Sequence, residues 1–122
     1  MTSLFESFRR AEMLVASSRP LDALQALLPV LADRPDSVSV QLLAGRAYLN
    51  SAQLGRAEEA FTRVLELDPA DHYARFALGK ALQRQGRLPE AHAQYKMAAA
   101  MDPRPEYQEA LGEVRARMAL GD

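Results

Sequence analysis

Apolar positions along this chain recur with two nested periods. Within segments they fall at i, i+3, i+4 and i+7, the spacing of an amphipathic helix. Across the chain the pattern returns every 34 residues. Residues 38–51 show the short period most clearly, with Val38, Leu42, Gly45 and Leu49 on one stripe and Gln41, Ala44 and Tyr48 beside it. Gln53-Leu54-Gly55 interrupts the stripe. A second helix is predicted over 54–67, with Ala57, Phe61, Val64 and Leu65 on its apolar side. Asp68-Pro69 closes it, because proline disfavours helical geometry in the residue before it. The same plan predicts helices over 71–85 and 88–101, split at Gly86, with Pro89 in the first turn where proline is tolerated. It also predicts helices over 3–16 and 20–33, split by Ser17-Ser18-Arg19. Pro29 lies inside the latter, removes one backbone hydrogen bond and is expected to kink it. A last helix over 106–119 places Leu111, Val114 and Met118 at apolar spacing. The chain therefore reads as all-α, with seven helices and no sheet.

The long period forms a ladder of rungs. Pro35, Pro69 and Pro103 stand 34 apart, as do Ala23, Ala57 and Ala91. Ala11, Gly45 and Gly79 form another rung, and Leu14, Tyr48 and Leu82 another. Leu27, Phe61 and Tyr95, then Val30, Val64 and Ala98, then Leu31, Leu65 and Ala99 complete the set. A fixed period of this size signals a repeat architecture, in which no single helix pair buries its own apolar face and stacked neighbours do. The small rungs let paired helices approach closely, and Gly79 and Ala91 are expected to face each other's helices. The large rungs fill the space between layers. This divides a single domain, 1–122, into repeats over about 4–37, 38–71 and 72–105. The helix over 106–119 covers the last pair.

These rungs resemble the tetratricopeptide repeat (TPR) family, whose pattern runs W-x2-L-G-x2-Y, then A-x3-F, then P. The third unit reads Leu78-Gly79, Leu82, Ala91, Tyr95, Pro103; the second reads Ala44-Gly45, Tyr48, Ala57, Phe61, Pro69. The first is more divergent, with Arg10-Ala11, Leu14, Ala23, Leu27 and Pro35. No unit has the tryptophan, since Ser7, Gln41 and Arg75 stand there, and Ala52 occupies a usual turn glycine. The resemblance implies a right-handed α-solenoid of antiparallel helix pairs. It also implies that the first helix of each pair lines a concave groove, which holds a peptide or helix of a partner protein. Carrying the family's groove positions over gives Phe5, Phe8, Arg9, Glu12 and Val15 from the first unit. The second gives Ser39, Leu42, Leu43, Arg46, Leu49 and Asn50, and the third Tyr73, Phe76, Ala77, Lys80, Gln83 and Arg84. Phe8, Leu42 and Phe76 would form one apolar row, and Glu12, Arg46 and Lys80 a parallel charged row flanked by Arg9 and Arg84. Such a groove suits a protein segment with apolar anchors and acidic flanks. The competing reading is that the aromatics pack helix on helix and the charges form a solvated face. Phe5 and Phe8 lie in the terminal repeat, so self-association through that repeat is the alternative function. Some family members clamp acidic chaperone tails with lysine, asparagine and arginine. Those positions fall here on Phe8, Glu12, Leu43, Tyr73 and Ala77, none of which matches.

Composition narrows the function further. Hydrophobic residues make up 48% and charged residues 25% of the chain, enough for a core. A net charge of −1 gives no general pull toward nucleic acid or anionic membrane. The absence of cysteine excludes disulfides and thiolate metal sites. The opening MTSLFESFRR lacks the apolar stretch of a signal peptide, and a cytoplasmic protein is the expectation. His72 and His92 lie on different helices without a converging carboxylate cluster, which is poor ground for a metal site. Asp68-Pro69-Ala70-Asp71 is too sparse in oxygen ligands for calcium, and no phosphate-binding glycine loop is present. No acid, base and nucleophile converge, so neither catalysis nor a cofactor is expected.

Overall fold

The structure, a computed structural model, describes residues 3–121. Its helices are α1 (Leu4–Ala16), α2 (Pro20–Asp33), α3 (Val38–Asn50), α4 (Leu54–Leu67), α5 (His72–Arg84), α6 (Leu88–Met101) and α7 (Pro105–Ala119), with no strand among the described residues. Where the observed ends differ from the predicted ones by a residue, capping explains most of them. Ser3, Ser37 and Asp71 are N-caps whose side chains accept from Glu6, Val40 and Ala74 backbone N–H groups. They stand 34 apart and form a rung of their own. Each satisfies one of the free N–H groups at a helix start. Helix α2 runs on through Pro29, whose missing N–H leaves the Gln25 carbonyl without its intrahelical donor.

The turn inside each pair is the same three times. Arg19, Gln53 and Arg87 donate their backbone N–H to the carbonyls of Leu14, Tyr48 and Leu82 at 2.8, 2.8 and 3.0 Å. That closure needs one residue in the left-handed region. Ser18 (φ 59°), Ala52 (φ 61°) and Gly86 (φ 79°) supply it. Only the third unit uses glycine, the residue that adopts this conformation without steric cost.

Helices pair as α1 with α2, α3 with α4 and α5 with α6, and each pair stacks on the next, with α7 against α6. The first helices α1, α3 and α5 adjoin one another along one side. Close approach within a pair is set by the glycine rung. A Cβ on Gly45 would lie 2.5 Å from the ring of Phe61, and one on Gly79 2.5 Å from the ring of Tyr95. The Tyr95 ring, not Ala91, therefore occupies the space over Gly79. Ala91 is itself fully buried one turn away.

Helix α7 closes the far end. Tyr107, Leu111 and Val114 are buried in the cluster that holds Phe76, Leu78, Leu82 and Tyr95. Met118, predicted on that apolar side, is 37% exposed, and Tyr107 takes the larger share of the burial. At the other end α1 differs from its counterparts. Val40, Ala47, Ala74 and Ala81 are buried, whereas Glu6 and Met13, at the matching positions of α1, are exposed.

Candidate protein-binding groove

Helix α1 brings Phe8 and Glu12 to the concave side, α3 brings Leu42 and Arg46, and α5 brings Tyr73. Together with Ser39 and Leu43 these line a cavity of about 330 Å³. All seven of these residues are groove positions in the sequence, and the fold brings them together from three helices. Phe8 and Leu42 are half-buried, while Glu12, Arg46 and Tyr73 reach solvent. The Tyr73 hydroxyl is held above its ordinary pKa by burial, an effect that the nearby Arg46 guanidinium opposes. Glu12 is engaged by Arg9 at 3.5 Å across one helical turn.

The third unit is organised differently from the expected row. Phe76 is only 7% exposed. Its ring lies 4.7 Å from that of Tyr107 and 5.7 Å from that of Tyr95. The aromatic faces that an incoming anchor would use are taken by the protein itself, and Phe76 belongs to the core under the groove. Lys80 covers what is left, its Nζ 4.9 Å from the ring centroid. Val15, Leu43 and Ala77 are likewise buried. Gln83 accepts from the Tyr95 hydroxyl at 2.7 Å and donates to Glu113 of α7 at 3.2 Å. Arg84 donates to the Leu49 carbonyl at 2.9 Å and so ties α5 to the end of α3. Leu49 is half-buried against the core, and Asn50 is exposed at the end of α3.

Sequence reasoning treated α7 only as a cap, yet it adds acidic groups to this side. Glu113 reaches Gln83, and Glu106 lies near enough to Tyr73 to oppose its ionisation. Along the first helices and α7 the charged row becomes Glu12, Arg46, Lys80, Glu113: a basic centre between acidic ends. A polar cluster sits at the base of α5 and α7. The Tyr107 hydroxyl and His72 Nδ1 are 2.7 Å apart, His72 Nε2 is 3.3 Å from Asp102, and Arg104 pairs with Asp102 at 2.7 Å. These contacts tie the α5 start to the α6–α7 turn. They have the form of a structural bridge, with no nucleophile or open cavity beside it. Elsewhere His92 accepts from Arg115 at 3.3 Å. Among the described residues no group of three or more His, Asp or Glu could hold a metal ion, and no helix is long and apolar enough to cross a membrane.

Solved structures share this architecture. A MamA structure (MSR-1) superposes with a TM-score of 0.85 at 24% identity, covering 97% of this chain and 68% of that one. The first TPR of Spaghetti (RPAP3), bound to the HSP90 peptide SRMEEVD, gives a TM-score of 0.88 at 15% identity, covering 95% of this chain and 93% of that one. The Arabidopsis OM64 TPR domain gives 0.87 at 16% identity, covering 93% and 94%. No curated protein matches the chain in sequence. The pattern of the tetratricopeptide repeat matches three overlapping stretches, residues 8–72, 42–105 and 76–122, which together take in nearly the whole sequence. With three helix pairs and a closing helix among the described residues, stacked over glycine and alanine rungs, the chain belongs to the tetratricopeptide repeat family.

Proposed function

We propose that the chain is a non-catalytic interaction module whose concave side holds a segment of another protein. The observation that carries this reading is the cavity in which Phe8 and Leu42 offer apolar surface beside Arg46 and Tyr73. Such a site takes one apolar anchor and fixes its orientation by a neighbouring polar or acidic group. The charge order refines the partner. An acidic group belongs opposite Arg46 and Lys80, while Glu12 and Glu113 disfavour acids at either end of the segment. RPAP3's peptide SRMEEVD carries adjacent acids near its end. The clamp positions here hold Phe8, Glu12, Leu43, Tyr73 and Ala77, two of them buried, so a tail of that kind is not the expected ligand. Asn50 and Arg84 would extend the contact along the groove, with Arg84 reading its partner only by giving up the Leu49 carbonyl.

A second reading, self-association through the first repeat, is favoured by a separate observation. Phe5 is 72% and Leu4 38% exposed beside a cavity of about 280 Å³ lined also by Phe8, Val30 and Val40. The two readings part in one experiment. A partner captured by the wild-type chain is compared with the Arg46→Glu, Lys80→Glu double variant and with Phe5→Ser, at low and high salt. The groove reading expects the charge reversal to abolish capture and salt to weaken it. Retained binding by the reversed variant sinks it. Loss of a homo-oligomer in Phe5→Ser alone supports the second reading.

A further inference from the structure

The first helix pair is held to the rest of the chain by apolar packing alone. Among the described residues, every side-chain hydrogen bond and ion pair made by α1 or α2 reaches four residues or fewer along the chain. From residue 36 onward the ties run between elements. Arg63 of α4 pairs with Asp36, and Arg84 of α5 donates to the Leu49 carbonyl of α3 at 2.9 Å. Arg87 binds Glu58 of α4 at 2.7 Å. Gln83 and His72 of α5 reach Glu113 and Tyr107 of α7. Polar contacts thus bind α3 to α7 into one body. The tie of that body nearest the amino terminus is at Asp36, and Arg34-Pro35 joins it to α2.

The apolar packing at this end is itself thin. The core cluster of α1, α2 and α3 has only alanine, leucine and valine as its buried members, whereas that of α4 to α7 holds Phe61, Phe76, Tyr95 and Tyr107. Aromatic side chains dominate core energetics. Phe5, Met13, Leu21 and Leu28 are each more than half exposed, so much of the apolar surface of α1 and α2 stabilises nothing within the chain. Pro29 removes a backbone bond inside α2, and proline interrupts no other helix interior among the described residues. The turn between the two helices places Ser18 at φ 59°, where the third pair has Gly86. Lying at an end of the array does not explain the difference. Helix α7 lies at the other end and carries both aromatic burial and polar ties. Few ties, small core side chains and a lost backbone bond mark a unit that opens well below the free energy of global unfolding.

We propose that α1 and α2 undock together as one unit, hinged at Arg34-Pro35, while α3 to α7 stay folded. The unit is a movable wall of the concave cavity: Phe8 and Glu12 leave with α1, and Leu42, Arg46 and Tyr73 stay behind. On the groove reading given above, a segment that touches Phe8 binds only the docked form, and its apparent affinity falls by the docked fraction. The undocking itself does not rest on that reading. The alanine rung supplies the test, because the chain has no cysteine and Ala11, Ala23, Ala57 and Ala91 are each 0% exposed. A single cysteine at one of these positions reacts with iodoacetamide only when its surroundings open. In the full chain without denaturant, Ala11→Cys and Ala23→Cys should be alkylated at one common rate, at least about tenfold faster than Ala57→Cys and Ala91→Cys. Combining Ala23→Cys with Ser18→Gly and Pro29→Ala should slow its alkylation at least about tenfold, and the same two changes should leave Ala91→Cys unaffected. Hydrogen exchange of the wild-type chain makes the comparison without any cysteine: amides of α1 and α2 should exchange together and well before those of α4 to α6. Equal alkylation at positions 23 and 91, or hydrogen exchange that is uniform from α1 to α6, overturns the proposal. Fast alkylation at 23 with slow alkylation at 11 overturns the opening as a unit. No readout involves a partner, so a groove that binds nothing leaves the result standing.

Discussion

Adding one methyl group to Gly79 should destabilise this protein, although alanine is the better helix former. In an open helix interior Gly→Ala gains about 1 kcal/mol from propensity alone. At Gly79 the new Cβ would lie 2.5, 2.6 and 3.1 Å from three atoms of the Tyr95 ring. That ring cannot retreat freely. Tyr95 is 1% exposed, its hydroxyl donates to Gln83 at 2.7 Å, and its far side meets Phe76. Overpacking a core of this kind costs about 1–3 kcal/mol. Displacing the ring also weakens a hydrogen bond worth about 1 kcal/mol. The two costs together exceed the propensity gain, and a net loss of about 1–2 kcal/mol is expected. Gly112 provides the control: it sits inside α7 with nothing within 4 Å of a built Cβ. Gly112→Ala should therefore stabilise by up to about 1 kcal/mol. Equilibrium urea unfolding of both variants measures the difference. If Gly79→Ala is as stable as wild type, or gains what Gly112→Ala gains, the packing account of the glycine rung is wrong.

Four further outcomes follow from the same geometry. Ala52→Gly should stabilise by about 1 kcal/mol, because a left-handed conformation costs a non-glycine residue about that much; an unchanged urea midpoint would count against strain in that turn. Phe76→Ala should cost about 3–5 kcal/mol as a core deletion, where a surface anchor would cost almost nothing; thermal unfolding distinguishes the two. Tyr73, Tyr95 and Tyr107 are each raised above the ordinary tyrosine pKa, chiefly by burial. Raised folded values mean their contribution is intact below about pH 10 and falls as pH climbs through the folded pKa, so unfolding should set in at alkaline pH, and Tyr95→Phe should flatten that loss. A stability that is flat to high pH would refute it. Deleting residues 105–122 should uncover Phe76 and the neighbouring core, lowering solubility and raising dye binding to apolar surface; a truncated chain that melts like the full one would show that α7 is not a cap.

Much of the fold was legible because a repeat states its packing rules three times. The glycine and alanine rungs announce close helix approach, and the Asp68-Pro69 step announces the end of its helix. What escaped reading lies where the period slips. Tyr107 occupies in α7 the place that Ala74 holds in α5, but 33 residues on instead of 34. The apolar spacing of α7 assigns the burial to Leu111, Val114 and Met118 and gives no place to Tyr107, the largest buried side chain of the cap. The same omission misplaced Phe76. From its own helix Phe76 continues the row of Phe8 and Leu42; only a tyrosine arriving from α7 takes its face and turns a candidate anchor into core. Acidic Glu106 and Glu113 fall outside the ladder for the same reason, since each follows its neighbour in α5, Tyr73 and Lys80, by 33 residues instead of 34. Charge pairing across turns, such as Glu58 with Arg87 at 2.7 Å, depends on geometry that no periodicity encodes.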